Sequence, residues 1–278
     1  MDFKIDTDNK KLALYFEIET KQPESIRTIV FDPFKPNTVY ADGKVIINGK
    51  DVFYVRMPQS PKTAMVRIFN ERLGSKGQTE ISTFRFKCKI LPLKTKLTAF
   101  NYLNPDIINF VALAQEFSEN AGIYSAGNLS VRLSDNGKFR INYVDYIKNN
   151  KGVTISTPAR ISKISKRIEV SKMFFINSTV PQRMAILLHE FGHGFLNQNM
   201  ANEMEADYNA LKIYLGLGYP RKEAYHVFTK VFNHANNVKN RERWSKIKRF
   251  LYEFESQKEI NYEYYYKGEK RIDELTAA

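Results

Sequence analysis

His189-Glu190-Phe191-Gly192-His193, with Asn202-Glu203-Met204-Glu205-Ala206-Asp207 behind it, decides how this chain is to be read. On a helix, residues four apart lie on one face, so His189 and His193 project together. Two imidazoles so placed can hold one zinc ion, and Glu190 beside them is positioned as a general base. The chain has only four histidines, so this spacing is not the by-product of a histidine-rich composition.

The flanking residues agree with a helix. Ser178 and Thr179 supply capping hydroxyls, and Pro181 suits a first turn. Met184, Leu188, Phe191 and Phe195 form an apolar stripe at helical spacing. A second helix is expected from Asn202 to about Leu215, stopped by Gly216, Gly218 and Pro220. A hydrolytic zinc takes three protein ligands and leaves one position for water. The third ligand must come from outside the first helix, whose remaining positions on that face are apolar. Glu203, at the start of the second helix, is the leading candidate. Asp207 lies one turn further on, where its carboxylate can orient a histidine through the other ring nitrogen. Glu205 is the alternative ligand. It lies about 200° around the helix from Glu203, so the two cannot share a role. An oxyanion donor is also required, for which Tyr208, Tyr214, Tyr219, His226 and His234 are all open.

The pattern His189-Glu190-x-x-His193 followed by Glu203 and Asp207 resembles the gluzincins, the HExxH peptidases whose third ligand is a glutamate. The stretch from 167 to 175 leading into Met184–His193 is similar to compact gluzincins of the ImmA/IrrE type. Peptidase-like proteins of this kind also occur in large tailed phages. The resemblance covers roughly residues 105–235. It implies a zincin-like α+β metallopeptidase domain in which His189, His193 and Glu203 bind zinc, Glu190 is the base and Asp207 supports a histidine. A metzincin is excluded, because Leu196 stands where that pattern needs glycine and Asn199 where it needs histidine.

Residues 1–97 read as a separate all-β, sandwich-like domain for binding or scaffolding, and 98–278 as the metallopeptidase domain, giving an α+β chain. The strand-like runs are Lys11–Glu19, Ser25–Phe31, Thr38–Ala41, Lys44–Ile47, Lys50–Met57, Thr63–Asn70 and Thr79–Ile90. Asp42-Gly43 and Asn48-Gly49 between them are expected to make hairpin turns. In the second domain a helix is expected over Asp106–Asn120, β structure over Gly122–Ile147 with a turn at Asn136-Gly137, and a last strand over Arg167–Asn177. Two further helices are expected at about 221–236 and 240–256.

One cysteine, Cys88, excludes an intramolecular disulfide and a thiolate zinc cluster, and reads as a core thiol. No signal peptide or membrane span is expected, so the reading is a cytoplasmic protein or one packaged into a phage virion. The formal net charge is +13. Arg85, Lys87 and Lys89 on one strand face form one basic group. Arg241, Arg243, Lys246, Lys248 and Arg249 form another. A solvated surface accounts for both, and an acidic or nucleic-acid partner is the alternative. The functional expectation is a zinc endopeptidase acting on a protein or peptide substrate. The alternative is a structural virion or tail component, with homo-oligomeric or virion assembly, built on a peptidase-like domain.

Overall fold

The N-terminal residues fold as β-strands. In the computed structural model these are β1 (Asp2–Asp6), β2 (Leu12–Thr20), β3 (Glu24–Phe31), β4 (Val39–Ile47), β5 (Lys50–Met57), β6 (Thr63–Asn70) and β7 (Phe84–Pro92). The described residues are 1–35, 37–71, 84–93, 104–127, 130–231 and 238–256. The chain divides into a unit of residues 1–95 and a unit of residues 96–259. It contains both helices and sheets in an α+β arrangement. Among the described residues, no helix is long and apolar enough to cross a membrane.

The first unit holds two antiparallel sheets, ordered β1-β6-β3-β4 and β5-β2-β7. Leu12, Leu14, Phe16 and Ile18 of β2, and Val66 and Ile68 of β6, are fully or almost fully buried. The two expected hairpins do not form. Asp42-Gly43 lies inside β4, with Gly43 opposite Thr28. The Asp42 carboxylate is held by Arg27 of β3 through Nε at 2.8 Å and Nη2 at 2.7 Å, which keeps this dipeptide extended. Asn48-Gly49 does turn, with Gly49 at φ +76°, but it links two different sheets rather than closing a hairpin. Arg85, Lys87 and Lys89 are exposed along β7. Cys88 pairs opposite Phe16, and burial pushes its thiol up to about 11, which leaves it inert at neutral pH.

In the second unit a four-stranded sheet comprises β8 (Val131–Leu133), β9 (Arg140–Val144), β10 (Ala159–Ile161) and β11 (Ile168–Ser171), in the order β10-β11-β9-β8. The β11–β9 pair is parallel and the other two are antiparallel. The helices are α1 (Pro105–Asn120), α2 (Lys172–Phe175), α3 (Val180–Phe191), α4 (Glu203–Gly216), α5 (Arg221–His226) and α6 (Val238–Ser256). The strand expected over 167–177 therefore stops at Ser171. A strand would put Met173 and Phe175 on one face, whereas one helical turn buries Phe175 against Phe117 and leaves Met173 exposed. The helix expected at about 221–236 ends at His226 and continues as a π-helical turn, Val227–Val231. Residues 232–237 and those from 257 onward, including the expected end of that helix, lie outside the described residues.

Helix α3 is the centre of this unit. Thr179 and Gln182 form a reciprocal capping box at its start. All its residues except Gln182 are buried, so it is covered on every side. Phe191 stacks on Phe110 of α1 at 4.2 Å and meets Phe139 edge-on. Arg183 is wholly buried. It donates to the carbonyls of Ser118 at 2.7 Å, Ile176 at 2.7 Å and Phe175 at 3.2 Å. These are the C-terminal ends of α1 and α2, where the helix dipoles favour a cation.

Candidate metal centre

The motif histidines sit where α3 changes character. His189 is in its last α-helical turn, and His193 is in a π-helical turn, Gly192–Leu196. Single π turns of this kind recur at functional sites because they re-aim one side chain. Two glycines flank His193. A Cβ on Gly194 would lie 2.2 Å from the Ile161 side chain of β10. A Cβ on Gly192 would lie 3.0 Å from the carbonyl oxygen and 3.2 Å from the Cα of Ala206 in α4. The two helices therefore touch backbone to backbone, and this closeness brings Glu203 and Asp207 to the histidines. Gly192→Ala gains up to about 1 kcal/mol in helix propensity but forces α4 away, at a cost of about 1–3 kcal/mol. The expected result is a Tm lowered by a few degrees together with weaker zinc retention. An unchanged Tm and zinc content would show that the α3–α4 contact has slack.

His189 Nε2 and His193 Nε2 face each other at 3.0 Å. Glu203 completes the group, with Oε2 3.5 Å from His189 Nε2 and Oε1 3.4 Å from His193 Nε2. Around a tetrahedral zinc with bonds of ~2.05 Å, ligand atoms lie ~3.3 Å apart. The donor set therefore fits zinc. The other ring nitrogens are already engaged: His189 Nδ1 lies 2.9 Å from Asp207 Oδ1, and His193 Nδ1 lies 2.8 Å from the Met200 carbonyl oxygen. With the ring protons on Nδ1, two Nε2 lone pairs point at each other, an arrangement that calls for a cation between them.

The electrostatics have the same sense. Burial works against charge on His189, but Asp207 and Glu203 outweigh it and lift its pKa to about 9. Burial opposes ionisation of Glu203, yet the two imidazoles hold its carboxyl well below the usual range. Glu190 is buried beside them, and burial raises its pKa although both histidines pull it down.

The structure brings His189, His193, Glu190, Glu203 and Asp207 together. It takes Glu205 elsewhere: the Glu205 carboxylate accepts from the Gln198 backbone N–H at 2.8 Å, closing the loop before α4. Tyr208, Tyr214, Tyr219 and His226 are not among the described residues that line the cleft at the metal group. Tyr214 donates to the Pro220 carbonyl and stacks on Tyr219, Tyr208 rests on Phe250, and His226 is exposed. His234 lies outside the described residues.

Arg243 is the residue that sequence reasoning misplaced. Assigned there to a surface basic group, it turns inward and binds Asp207 through Nε and, at 2.6 Å, Nη2. Its Nη1 lies 3.2 Å from Glu203 Oε2. Burial opposes its charge, but Asp207 and Glu203 raise its pKa. The available signal was spacing: Arg243 shares a helical stripe with Ile247, Leu251 and Phe254, all buried. One carboxylate oxygen of Glu203 thus faces Arg243 and the other faces His193.

These groups open into a cleft of about 460 Å³, walled by Ala159 and Ile161 of β10, Lys163, Met200 and Arg243. A larger hollow of about 730 Å³, around Tyr146, Lys148, Lys172 and Asn177, shares Arg160 with the cleft but is lined by no histidine among the described residues. The chemistry therefore belongs to the smaller one.

Comparison with known proteins returns no match: no family model, no curated protein and no solved structure.

Proposed function

We propose that the chain is a zinc-dependent endopeptidase with a zincin-like second unit and a sandwich-like first unit that binds or scaffolds. The observation that carries this reading is the pair of inward-facing Nε2 atoms closed by Glu203, with buried Glu190 beside them. His189, His193 and Glu203 would hold the metal. Zinc, when bound, supplies a Lewis acid that acidifies water and polarises a carbonyl. Glu190 takes the proton of the attacking water as its oxygen bonds to the carbonyl carbon. It then delivers that proton to the departing amine as the C–N bond breaks. Asp207 fixes the His189 tautomer, and Arg243 holds the Asp207 carboxylate in place. Among the described residues β10 is an edge strand of its sheet, and its Ala159 and Ile161 border the cleft. An extended peptide can add to that edge through main-chain hydrogen bonds, bringing a peptide bond to the metal.

The test is elemental analysis of the purified protein alongside cleavage of an unbiased peptide mixture, read by mass spectrometry. About one zinc per chain is expected, with cleavage abolished by a chelator and restored by zinc. Absence of zinc after loading removes the reading. Zinc without cleavage leaves the alternative, a metal-holding structural protein of the kind that a virion component represents.

A further inference from the structure

Apart from Glu190 and Glu203, the charged side chains lining the cleft are all cations: Arg160, Lys163 and Arg243. Two of the three are engaged. Arg243 serves Asp207 and Glu203, and Arg160 pairs with Glu169 at 2.6 Å. Lys163 is exposed and has no carboxylate within ion-pair reach among the described residues. It belongs to the hairpin joining β10 to β11, closed by Ser162 N–H to the Arg167 carbonyl at 2.9 Å and Lys166 N–H to the Ser162 carbonyl at 3.0 Å. The hairpin reads Ala159-Arg160-Ile161-Ser162-Lys163-Ile164-Ser165-Lys166-Arg167-Ile168, with four cations and no carboxylate. Lys166 reaches the cleft residue Met200, its Nζ 3.3 Å from Sδ.

We propose that this hairpin selects acidic peptides, Lys163 and Lys166 pairing with carboxylates of a substrate laid along β10. The inference deepens the peptidase reading and rests on it. Charge complementarity is the argument: a bound peptide would meet a cationic loop whose nearest acid in β11, Glu169, is already paired with Arg160, and the net charge of +13 draws acidic chains toward the molecule. An acidic side chain would place its carboxylate against Lys163 without displacing an existing ion pair, whereas a basic one would meet like charge at the hairpin.

The test uses zinc-loaded Glu190→Gln protein and two fluorescein-labelled peptide pools of equal length. One pool has Asp and Glu at its randomised positions and the other has Ser and Gln. Fluorescence anisotropy is expected to show the acidic pool binding about tenfold more tightly at low salt, with the advantage shrinking as salt is added. Lys163→Glu combined with Lys166→Glu should remove that preference while zinc per chain stays unchanged. Equal binding of the two pools, or a preference that survives the double reversal, overturns the proposal. So does tighter binding of oligodeoxythymidine than of the acidic pool through the same lysines, which would make the hairpin a nucleic-acid site. Cleavage of either pool by the unmodified protein is scored separately. If neither is cut while lysine-dependent binding of the acidic pool persists, the peptidase reading fails and the hairpin stands as an acidic-peptide site.

Discussion

Glu190→Gln should keep its zinc and lose its hydrolytic activity. Glutamine has nearly the same shape, so the buried position beside His189 and His193 can still be filled and the backbone N–H of Ile161 still finds an acceptor. What the amide cannot do is accept a proton from water and return it to the leaving nitrogen. A positioned general base contributes about 10²–10⁴ in rate, so kcat for a cleaved peptide should fall by that factor. Zinc per chain, measured on the same preparation, should not change. Retained activity would remove Glu190 from the base role. Simultaneous loss of zinc would mean that its burial supports the metal group rather than the proton transfer.

Glu203→Ala should have the opposite signature, losing the metal while keeping the fold. Glu203 is half exposed, with 53% of its side-chain surface accessible, whereas Asp207 is fully buried. Removing the Glu203 carboxylate leaves no apolar cavity, and Arg243 keeps its two contacts to Asp207. The Tm of the metal-free protein should therefore move little. Zinc affinity should fall by more than ~100-fold, beyond the loss usual for an outer hydrogen-bond partner, because two imidazoles alone remain. The control is Glu205→Ala. Its carboxylate is engaged by Gln198 outside the metal group, and this variant should bind zinc as the parent does. Competition with a chelator of known affinity, applied to all three proteins, reads the difference directly. Equal loss in the two variants would mean that the loop before α4, rather than the Glu203 carboxylate, controls metal binding.

The two alanine variants also mark where reading the sequence reached its end. Spacing within one helix is local geometry. Within one helix, residues four apart share a face, as Glu203 and Asp207 do on α4 and as His189 and His193 are expected to do. Capping chemistry is local too, and Asn104, Thr179 and Asn202 each cap the helix that follows, accepting from backbone N–H groups. Asp42-Gly43 shows the limit of such signals. Its turn propensity is overridden by Arg27, a partner on the neighbouring strand that no short window contains.

By itself, then, the sequence determined the helix carrying the two imidazoles, the neighbouring acid, and a pair of carboxylates on one face of the next helix. Tertiary structure decided the rest. It selected Glu203 over Glu205, because the Gly192–Ala206 contact sets which face of α4 meets α3. It turned Arg243 from a surface cation into the partner of both acids, and it laid β10 with its cationic hairpin along the cleft. The physical reason is common to all three. Periodicity along a chain reports which face of an element is buried, but the groups that meet it come from residues far away in sequence, and only packing brings them within hydrogen-bond reach.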